Sequence, residues 1–271
     1  MAITTVDGIV AGLQPPRQFA KSVTGTLVAG RPQSLWGLAG SPGAGAYDTT
    51  LNGVVLSSSS ALVNGQIPHT DPGSGNSYIA RLALASSAQP CVAILADLLW
   101  TNQLTVNSTT AQTITMPTLP ARDNAASTNG DGVQLALVTS AAASATAVAA
   151  TYSYTNQAGT ASRTGSILDA TAATATIAGA LFRLGLQAGD TGVRSIQSIT
   201  FSTAWTTGTI NMIAYRPLAQ LNLSGNANSD SFDAITGGMP RLPNGVVPFI
   251  FIVPTTTTTT SISGQYIETQ G

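Results

Sequence analysis

Short segments in which apolar and polar residues alternate, separated by turn-forming residues, dominate the middle of this chain. Residues 78–84 and 112–116 alternate in this way, and residues 92–100 form a nearly continuous apolar run. Alternation with a period of two is typical of half-buried β-strands, whereas a continuous apolar run fits a strand buried on both faces or a short buried helix. Strands with turn signals about every 8–12 residues are typical of β-sandwiches. Residues 76–218 therefore predict an all-β body, a jelly roll or a related β-sandwich.

Two hairpins are predicted inside this body. Residues 151–164 contain Asn156 and Gly159 at positions where a tight turn needs positive φ, with β-forming residues on either side. Residues 195–201 and 209–215 flank a Thr-Thr-Gly turn and are expected to pair with each other across it.

The two flanking regions contain fewer regular strand patterns than the body. Residues 1–75 are broken by many Pro and Gly positions, which leaves room for short strands, turns and one short helix over residues 4–13. We therefore expect an extended N-terminal arm. Residues 219–271 predict a C-terminal arm that contains an apolar strand at 246–253, bracketed by prolines. The threonine run at 255–260 has high β propensity and predicts an extended strand edge.

Charged residues are scarce in this chain. Ten Lys+Arg and eleven Asp+Glu make up 8% of 271 residues, against roughly 25% in an ordinary domain. A net charge of −1 offers no electrostatic footprint for nucleic acid or an anionic membrane. The longest apolar runs fall far short of the ~20 residues that a membrane-spanning helix needs, and the first residues lack the pattern of a secretory signal. A surface so poor in charge suits a homo-oligomer that buries part of itself against neighbours.

The sequence offers little material for catalysis, and we expect no catalytic residue, no cofactor and no metal. His69 is the only histidine, and its Pro-bounded turn favours a surface-loop role. Cys91 is the only cysteine and is interpreted as a small buried hydrophobe. Asp230 and Asp233 form the one close carboxylate pair, in a polar segment typical of solvated turns. Residues 123–132 carry oxygen ligands that could suit Ca²⁺, but their spacing is not that of an EF-hand and favours turn formation.

Several segments resemble tailed-bacteriophage virion structural proteins, in particular capsid decoration or cement (head-associated) proteins. The resemblance lies in turn and strand segments spread over most of the chain, at residues 29–32, 97–100, 152–164, 186–200, 213–216 and 240–271. It implies a non-enzymatic protein of the capsid surface, synthesised in the host cytoplasm. It further implies that the chain binds itself, as a trimer, and the major capsid protein.

Two other functions stay open. The first is a tail, collar or fibre component of the same virion. The second is a phage-borne glycan hydrolase or lyase, which would predict regular β-helix repeats and clustered carboxylates. The sequence shows neither of these features.

The apolar strand at 246–253 supplies the expected contact with a partner. Its hydrophobic surface would be an aggregation hazard in water and must be covered. The partner could be the chain's own body, an adjacent copy or the capsid shell. The predicted interface residues are Val246, Val247, Phe249, Ile250, Phe251 and Ile252.

Overall fold

The structure is a computed structural model that describes residues 3–88, 90–143, 148–169, 176–225 and 228–271. It is nearly all β, with 46% strand and 4% helix. The elements, in chain order, are α1 (Val6–Ala11), β1 (Arg17–Ser22), β2 (Gln33–Ser34), β3 (Gly40–Ser41), β4 (Val54–Val55), a 3-10 helix (Val63–Gly65), β5 (Ser77–Ser86), β6 (Cys91–Leu104), β7 (Gln112–Thr113), β8 (Gln134–Ala141), β9 (Ala150–Asn156), β10 (Arg163–Ile167), β11 (Leu181–Gly185), β12 (Val193–Phe201), β13 (Thr209–Leu223), β14 (Ser229–Asp233), β15 (Arg241–Leu242), β16 (Pro248–Pro254) and β17 (Ser261–Gln270).

The described strands form two sheets in which neighbouring strands run antiparallel. The smaller sheet has the order β14-β5-β17-β1-β3, and β15 also pairs with β5. The larger sheet has the order β2-β16-β6-β13-β8-β11-β10-β9-β12-β7, and β4 also pairs with β6.

The two sheets pack face to face through one apolar cluster. The smaller sheet contributes Leu82 and Leu84 of β5 and Tyr266 of β17, among others. The larger sheet contributes alternate residues of β6, β13 and β16, such as Leu95 and Ile250. Because alternate residues of a strand point to opposite faces, each strand buries one row of side chains here. This arrangement is a β-sandwich.

Beyond this contact the larger sheet curls around a second cluster. Side chains from β6, β8, β9, β11, β12 and β13 meet there. Trp205 lies among them, with its ring centroid 6.3 Å from that of Phe182 and 5.9 Å from that of Phe201. A third cluster covers the opposite face of the larger sheet, where Trp36 and Tyr47 pack over strands β6, β8, β13 and β16.

The three regions distinguished in the sequence are interleaved in space. Strand β1 of the 1–75 region pairs with β17 of the 219–271 region, and β17 pairs with β5 of the 76–218 region. Strand β16 lies between β2 and β6 in the larger sheet. The flanking regions therefore supply central strands, because their apolar rows complete the clusters on both faces of the larger sheet.

Several sequence predictions are confirmed by these elements. The chain is all-β, with a β-sandwich arrangement of its sheets. The predicted hairpin at 151–164 is present: β9 and β10 pair from Tyr154↔Arg163 to Thr151↔Ser166. The apolar run at 92–100 is a strand rather than a helix, and a short helix forms within residues 4–13.

Two predictions about strands are wrong. Residues 195–201 do not pair with 209–215: β12 pairs with β9 and β7, while β13 pairs with β6 and β8. Both edges of the 15-residue β13 are occupied, one by the 14-residue β6 and the other by the 8-residue β8. The threonine run at 255–260 is a connection between β16 and β17 rather than a strand edge, and Thr260 Oγ1 lies 2.8 Å from Ser86 Oγ.

Candidate functional site

The six residues predicted as a partner interface lie inside the chain. Val246, Ile250 and Ile252 belong to the cluster between the two sheets, whereas the other three belong to the cluster under the Trp36 segment. None of the six is more than 1% exposed. Strand β16 pairs with β6 along its whole length and with β2 at Phe251 and Ile252. These side chains are covered by the same chain, so the surfaces open to a neighbour lie elsewhere.

Many of the few charged residues are also buried. Nine of the 21 charged residues are buried, namely Lys21, Arg31, Asp48, Asp97, Arg122, Asp123, Asp169, Arg216 and Glu268. Lys21, the only lysine, donates hydrogen bonds from Nζ to the carbonyl oxygens of Leu38 at 2.7 Å and Gly43 at 2.8 Å. Burial lowers the pKa of Lys21 to about 8. The outer surface is therefore even poorer in charge than the composition indicates.

His69 lies at the centre of a buried ionic group. Its ring Nδ1 is 2.9 Å from the carboxylate of Glu268, and its Nε2 is 3.0 Å from Oδ1 of Asp71. The side chain of His69 is 0% exposed, that of Glu268 5% and that of Asp71 38%. The interpretation of His69 as a surface-loop residue is wrong, because the turn that carries it folds back onto β17.

The two carboxylates beside the ring of His69 favour its positively charged form. An ionised carboxylate only accepts hydrogen bonds, and a neutral imidazole has one N–H to donate. Two carboxylates at the two ring nitrogens are both satisfied when both nitrogens carry a proton. Burial lowers the pKa of His69, but the hydrogen bonds and charges of Glu268 and Asp71 outweigh that effect and raise the pKa above its ordinary value.

Arg122 and Asp97 form a second ion pair, which is buried more completely than the group around His69. Arg122 Nε is 3.1 Å from Oδ2 of Asp97, and the two side chains are 3% and 0% exposed. Asp97 Oδ1 accepts a hydrogen bond from the backbone N–H of Val247 at 2.9 Å. Arg122 donates to the carbonyl oxygens of Leu56 at 2.9 Å and of Gly245. Burial outweighs their mutual attraction, so it raises the pKa of Asp97 and lowers that of Arg122, and the pair carries a net desolvation cost.

The backbone of Gly245 connects His69 and its carboxylates with the Asp97–Arg122 pair. Its N–H donates to Oδ1 of Asp71 at 2.8 Å, and its carbonyl oxygen accepts from Arg122. We call His69, Asp71, Asp97, Arg122 and Glu268 the central ion network. It holds together the turn after the 3-10 helix, strand β6, the loop before β8, the loop before β16 and the end of β17.

The loop at 123–132 uses its carboxylate for turn formation. Asp123 accepts hydrogen bonds from the backbone N–H groups of Ala125, Ser127, Gly130 and Asp131 and from the hydroxyl of Ser127. These bonds outweigh partial burial and lower the pKa of Asp123. The described residues contain no group of three or more His, Cys, Asp or Glu placed to hold a metal ion.

The remaining singled-out residues also have local structural roles. Asp230 accepts the backbone N–H of Asn222 at 2.9 Å, and Asp233 accepts that of Ile235 at the same distance. Cys91 is buried, as predicted, and burial raises the pKa of its thiol to about 11.

Two segments that carry the phage resemblance meet at Asp190. Within residues 152–164, Tyr154 donates to its carboxylate at 2.5 Å, Asn156 at 2.7 Å and Arg163 Nε at 2.9 Å. The hydrogen bond from Arg163 is the largest of the effects that lower the pKa of Asp190 to about 2. The carboxylate thus ties the turn before β12 to the β9–β10 hairpin.

The outward side of the smaller sheet carries a patch of small uncharged side chains, bordered on the same face by the exposed residues Arg81 and Asp233. Cross-strand registers place two rows of side chains there, one through Gln265↔Ala83 and one through Ser263↔Ala85. Strands β1 and β14 extend both rows. We call this surface the outer face, which consists of Gln18, Gln265, Ala83, Ser231, Ala20, Ser263, Ala85 and Ser229. None of the eight is buried, and none is larger than glutamine.

Sequence reasoning missed both the central ion network and the outer face. A usable signal for the network was Asp97, a lone charge inside the apolar run at 92–100, since buried charges need partners. The outer face could have been found from the small residues that occupy alternate positions of β5. No helix among the described residues is long and apolar enough to cross a membrane.

Comparisons with known proteins add two weak structural likenesses. No protein-family description matches the chain, and no curated protein does. The chain is similar to a structure of the infectious bursal disease virus Gt strain, with 10% identity over 95% of this chain and 80% of that chain, at a TM-score of 0.20. It is also similar to the crystal structure of the infectious bursal disease virus VP2 subviral particle, with 10% identity over 94% and 81% of the two chains, at a TM-score of 0.17. At TM-scores this low, neither likeness carries an argument about fold or function.

Proposed function

We propose that the chain is a non-enzymatic structural protein of a tailed-bacteriophage virion that decorates or cements the capsid of the head. The observation that carries this proposal is the distribution of charge. Nine charged residues are buried, and the other twelve are spread over 10742 Å² of accessible surface. Covering hydroxyl groups and small apolar side chains costs far less than stripping water from ions. Such a surface is suited to permanent burial against other subunits.

The phage resemblance of the sequence supports the choice of a virion. Antibodies against the chain should therefore label purified particles of the phage that encodes it, and the label should lie on the head. Label on the tail, collar or fibres would contradict the decoration role and would support a tail, collar or fibre component instead. Particles that carry no label would contradict a virion role altogether.

We further propose that the chain assembles with itself as a trimer. Sedimentation of the purified protein at micromolar concentration should give a mass of three times 27.4 kDa. A stable monomer at that concentration would contradict the trimer.

The outer face is proposed as the surface that lies on the major capsid protein. Its eight side chains are uncharged, and the bordering Arg81 and Asp233 lie opposite each other in the β5–β14 register, so the face can be covered without burying an unpaired ion. Replacing Ala83 by arginine places a long cation in the middle of the face. We expect the variant to fold normally and to bind empty phage heads at least about tenfold more weakly, which corresponds to about 1.4 kcal/mol.

The matched control is Ala158→Arg, because Ala158 is exposed in the turn of the β9–β10 hairpin on the other sheet. Binding can be measured by co-sedimentation with empty heads, and folding by circular dichroism. Equal binding of the two variants would show that the outer face does not contact the shell.

A further inference from the structure

A small cavity lies where the two ends of the curled part of the larger sheet come together. Strand β7 ends this sheet and pairs with β12. The side chain of Gln112 in β7 reaches back to Thr105, the residue after β6. Its Nε2 donates to the carbonyl oxygen of Thr105 and its Oε1 accepts the backbone N–H, both at 2.7 Å. One side-chain amide therefore takes the place of a strand pairing, and the cavity beside it has a volume of about 240 Å³.

Asn102 of β6 forms part of the cavity wall and carries an unused hydrogen-bond acceptor. Its Nδ2 donates to the carbonyl oxygen of Gln103 at 2.8 Å, which fixes the orientation of the side-chain amide. Within the described part of the chain, its Oδ1 is buried without a hydrogen-bond partner, and the residue is 2% exposed. A buried amide oxygen without a donor is costly, so each such group in a native structure requires an explanation.

The cavity lies on the inner face of the curled sheet, the face to which the side chain of Asn102 points. Leu104, two residues further along β6, points the same way. Leu104 and Ile114 line the cavity, and both belong to the apolar cluster inside the curl. Met212, the cross-strand neighbour of Asn102, belongs to this cluster too. Leucine would pack as well as asparagine in such a row, so the amide points to a bound hydrogen-bond donor.

The other walls determine which ligands fit. None of the described residues that line the cavity is charged, so an ionic ligand would lose its water without gaining a counter-ion. Leu51, Leu104 and Ile114 supply apolar surface, and the polar lining consists of Asn, Gln and Thr. Leu51 is 57% exposed, so the cavity opens to solvent. Apolar walls with a few placed hydrogen-bonding groups are typical of sites for small neutral molecules.

We propose that this cavity binds one ring of a neutral saccharide, a hydroxyl group of which donates a hydrogen bond to Oδ1 of Asn102. A sugar ring has apolar C–H faces for the leucine and isoleucine walls and hydroxyl donors at its edge. The volume of about 240 Å³ is below the roughly 300–1,000 Å³ of sites for drug-sized ligands, so it suits a single ring. A second cavity of about 420 Å³ adjoins it at Leu51 and leaves room for the next sugar. An added peptide strand is disfavoured, because the Gln112 side chain already occupies the gap where its backbone would pair.

Ligand-observed NMR on the full chain tests the proposal with the methyl glycosides of glucose, galactose, mannose and N-acetylglucosamine. At least one of them should bind the unmodified protein with a Kd of about 10 mM or below. Asn102→Leu keeps nearly the shape of the side chain but removes the acceptor, and it should weaken binding at least about tenfold. The control Asn222→Leu changes an exposed asparagine at the opposite end of the β6–β13 pair and should bind normally.

A second variant and a charged analogue complete the test. Leu51→Ala shortens an exposed wall residue, leaves the core intact and should weaken binding at least about fourfold, the effect of one buried CH₂ group. The 6-carboxylate of the glycoside that binds best should bind at least about tenfold more weakly, because no cation lines the described cavity.

The proposal is overturned if none of the four glycosides binds with a Kd of about 10 mM or below. That result would mean that water alone satisfies Asn102. Binding by a folded Asn102→Leu variant that is as tight as that of the unmodified protein would overturn it equally. If Asn102→Leu does not fold, unchanged binding by Leu51→Ala has the same consequence. Equal binding of the 6-carboxylate would contradict a site for neutral sugars.

Discussion

Replacing Arg122 by methionine should lower the free energy of unfolding by about 3–5 kcal/mol, the cost of breaking a buried ion pair by removing one partner. Methionine keeps much of the apolar stem but removes the charge that faces Asp97 at 3.1 Å. It also removes the donors to the carbonyl oxygens of Leu56 and Gly245. Urea unfolding at neutral pH measures the change, through the midpoint at an unchanged m-value.

A double-mutant cycle separates the ion pair from general packing damage. Adding Asp97→Asn to Arg122→Met removes the carboxylate that the first change left alone, so the double variant should be at least about 1 kcal/mol more stable than the sum of the two single effects predicts. Arg194→Met is the control for loss of an exposed arginine and should stay within about 0.5 kcal/mol of the unmodified protein. Additive effects, or a cost below about 1 kcal/mol for Arg122→Met, would show that the pair does not hold these loops.

The stability of the protein should fall as the pH rises from 6 towards 7.5. The carboxylates around His69 raise its pKa in the folded state above the value of about 6.5 that it has in an unfolded chain. The stabilisation is therefore complete below pH 6.5 and is lost as the pH passes through the folded-state pKa. Between these two pKa values the unfolded chain binds fewer protons, so the slope approaches about −1.4 kcal/mol per pH unit.

His69→Gln should remove this pH dependence and cost about 3 kcal/mol at pH 6, since it leaves Glu268 buried without its cation. Because the chain has a single histidine, NMR of the ring nitrogens reports on His69 directly. The range should stop at pH 7.5, because Lys21 has a pKa lowered to about 8 and raises stability with pH above that point. A neutral His69 ring in the folded protein at pH 6.5 would contradict the assignment.

Local features of the fold could be predicted from the sequence, and distant ones could not. The hairpin at 151–164 follows from turn residues within a few positions, whereas the apolar run at 92–100 fits a strand or a buried helix equally well and is shown to be a strand by the structure. The partners of β12 and β13 depend on which distant strands bury their apolar rows, and a turn motif alone does not decide that. The threonine run has strand-forming residues, but its backbone connects two different sheets.

The same reasoning explains why the central ion network escaped prediction. His69 and Glu268 are 199 residues apart in the chain, and nothing near His69 in sequence indicates a carboxylate other than Asp71. Burial of the turn follows from the position of β17, which is a property of the whole smaller sheet. The predicted absence of a catalytic constellation rested on composition, which needs no spatial information.

The order of strands in the smaller sheet affects when this sheet can fold during or after synthesis. Strand β17 is the last of the described strands in chain order, yet it lies between β5 and β1 and pairs with both. A nascent chain therefore carries β1 and β5 with open edges until residues 261–270 have left the ribosome. This sheet is complete only once residues 261–270 have emerged, and its folding is expected to be slow because its contacts are so distant in sequence. During that interval the open edges are targets for aggregation, so the yield of folded protein should depend on expression rate and on chaperones.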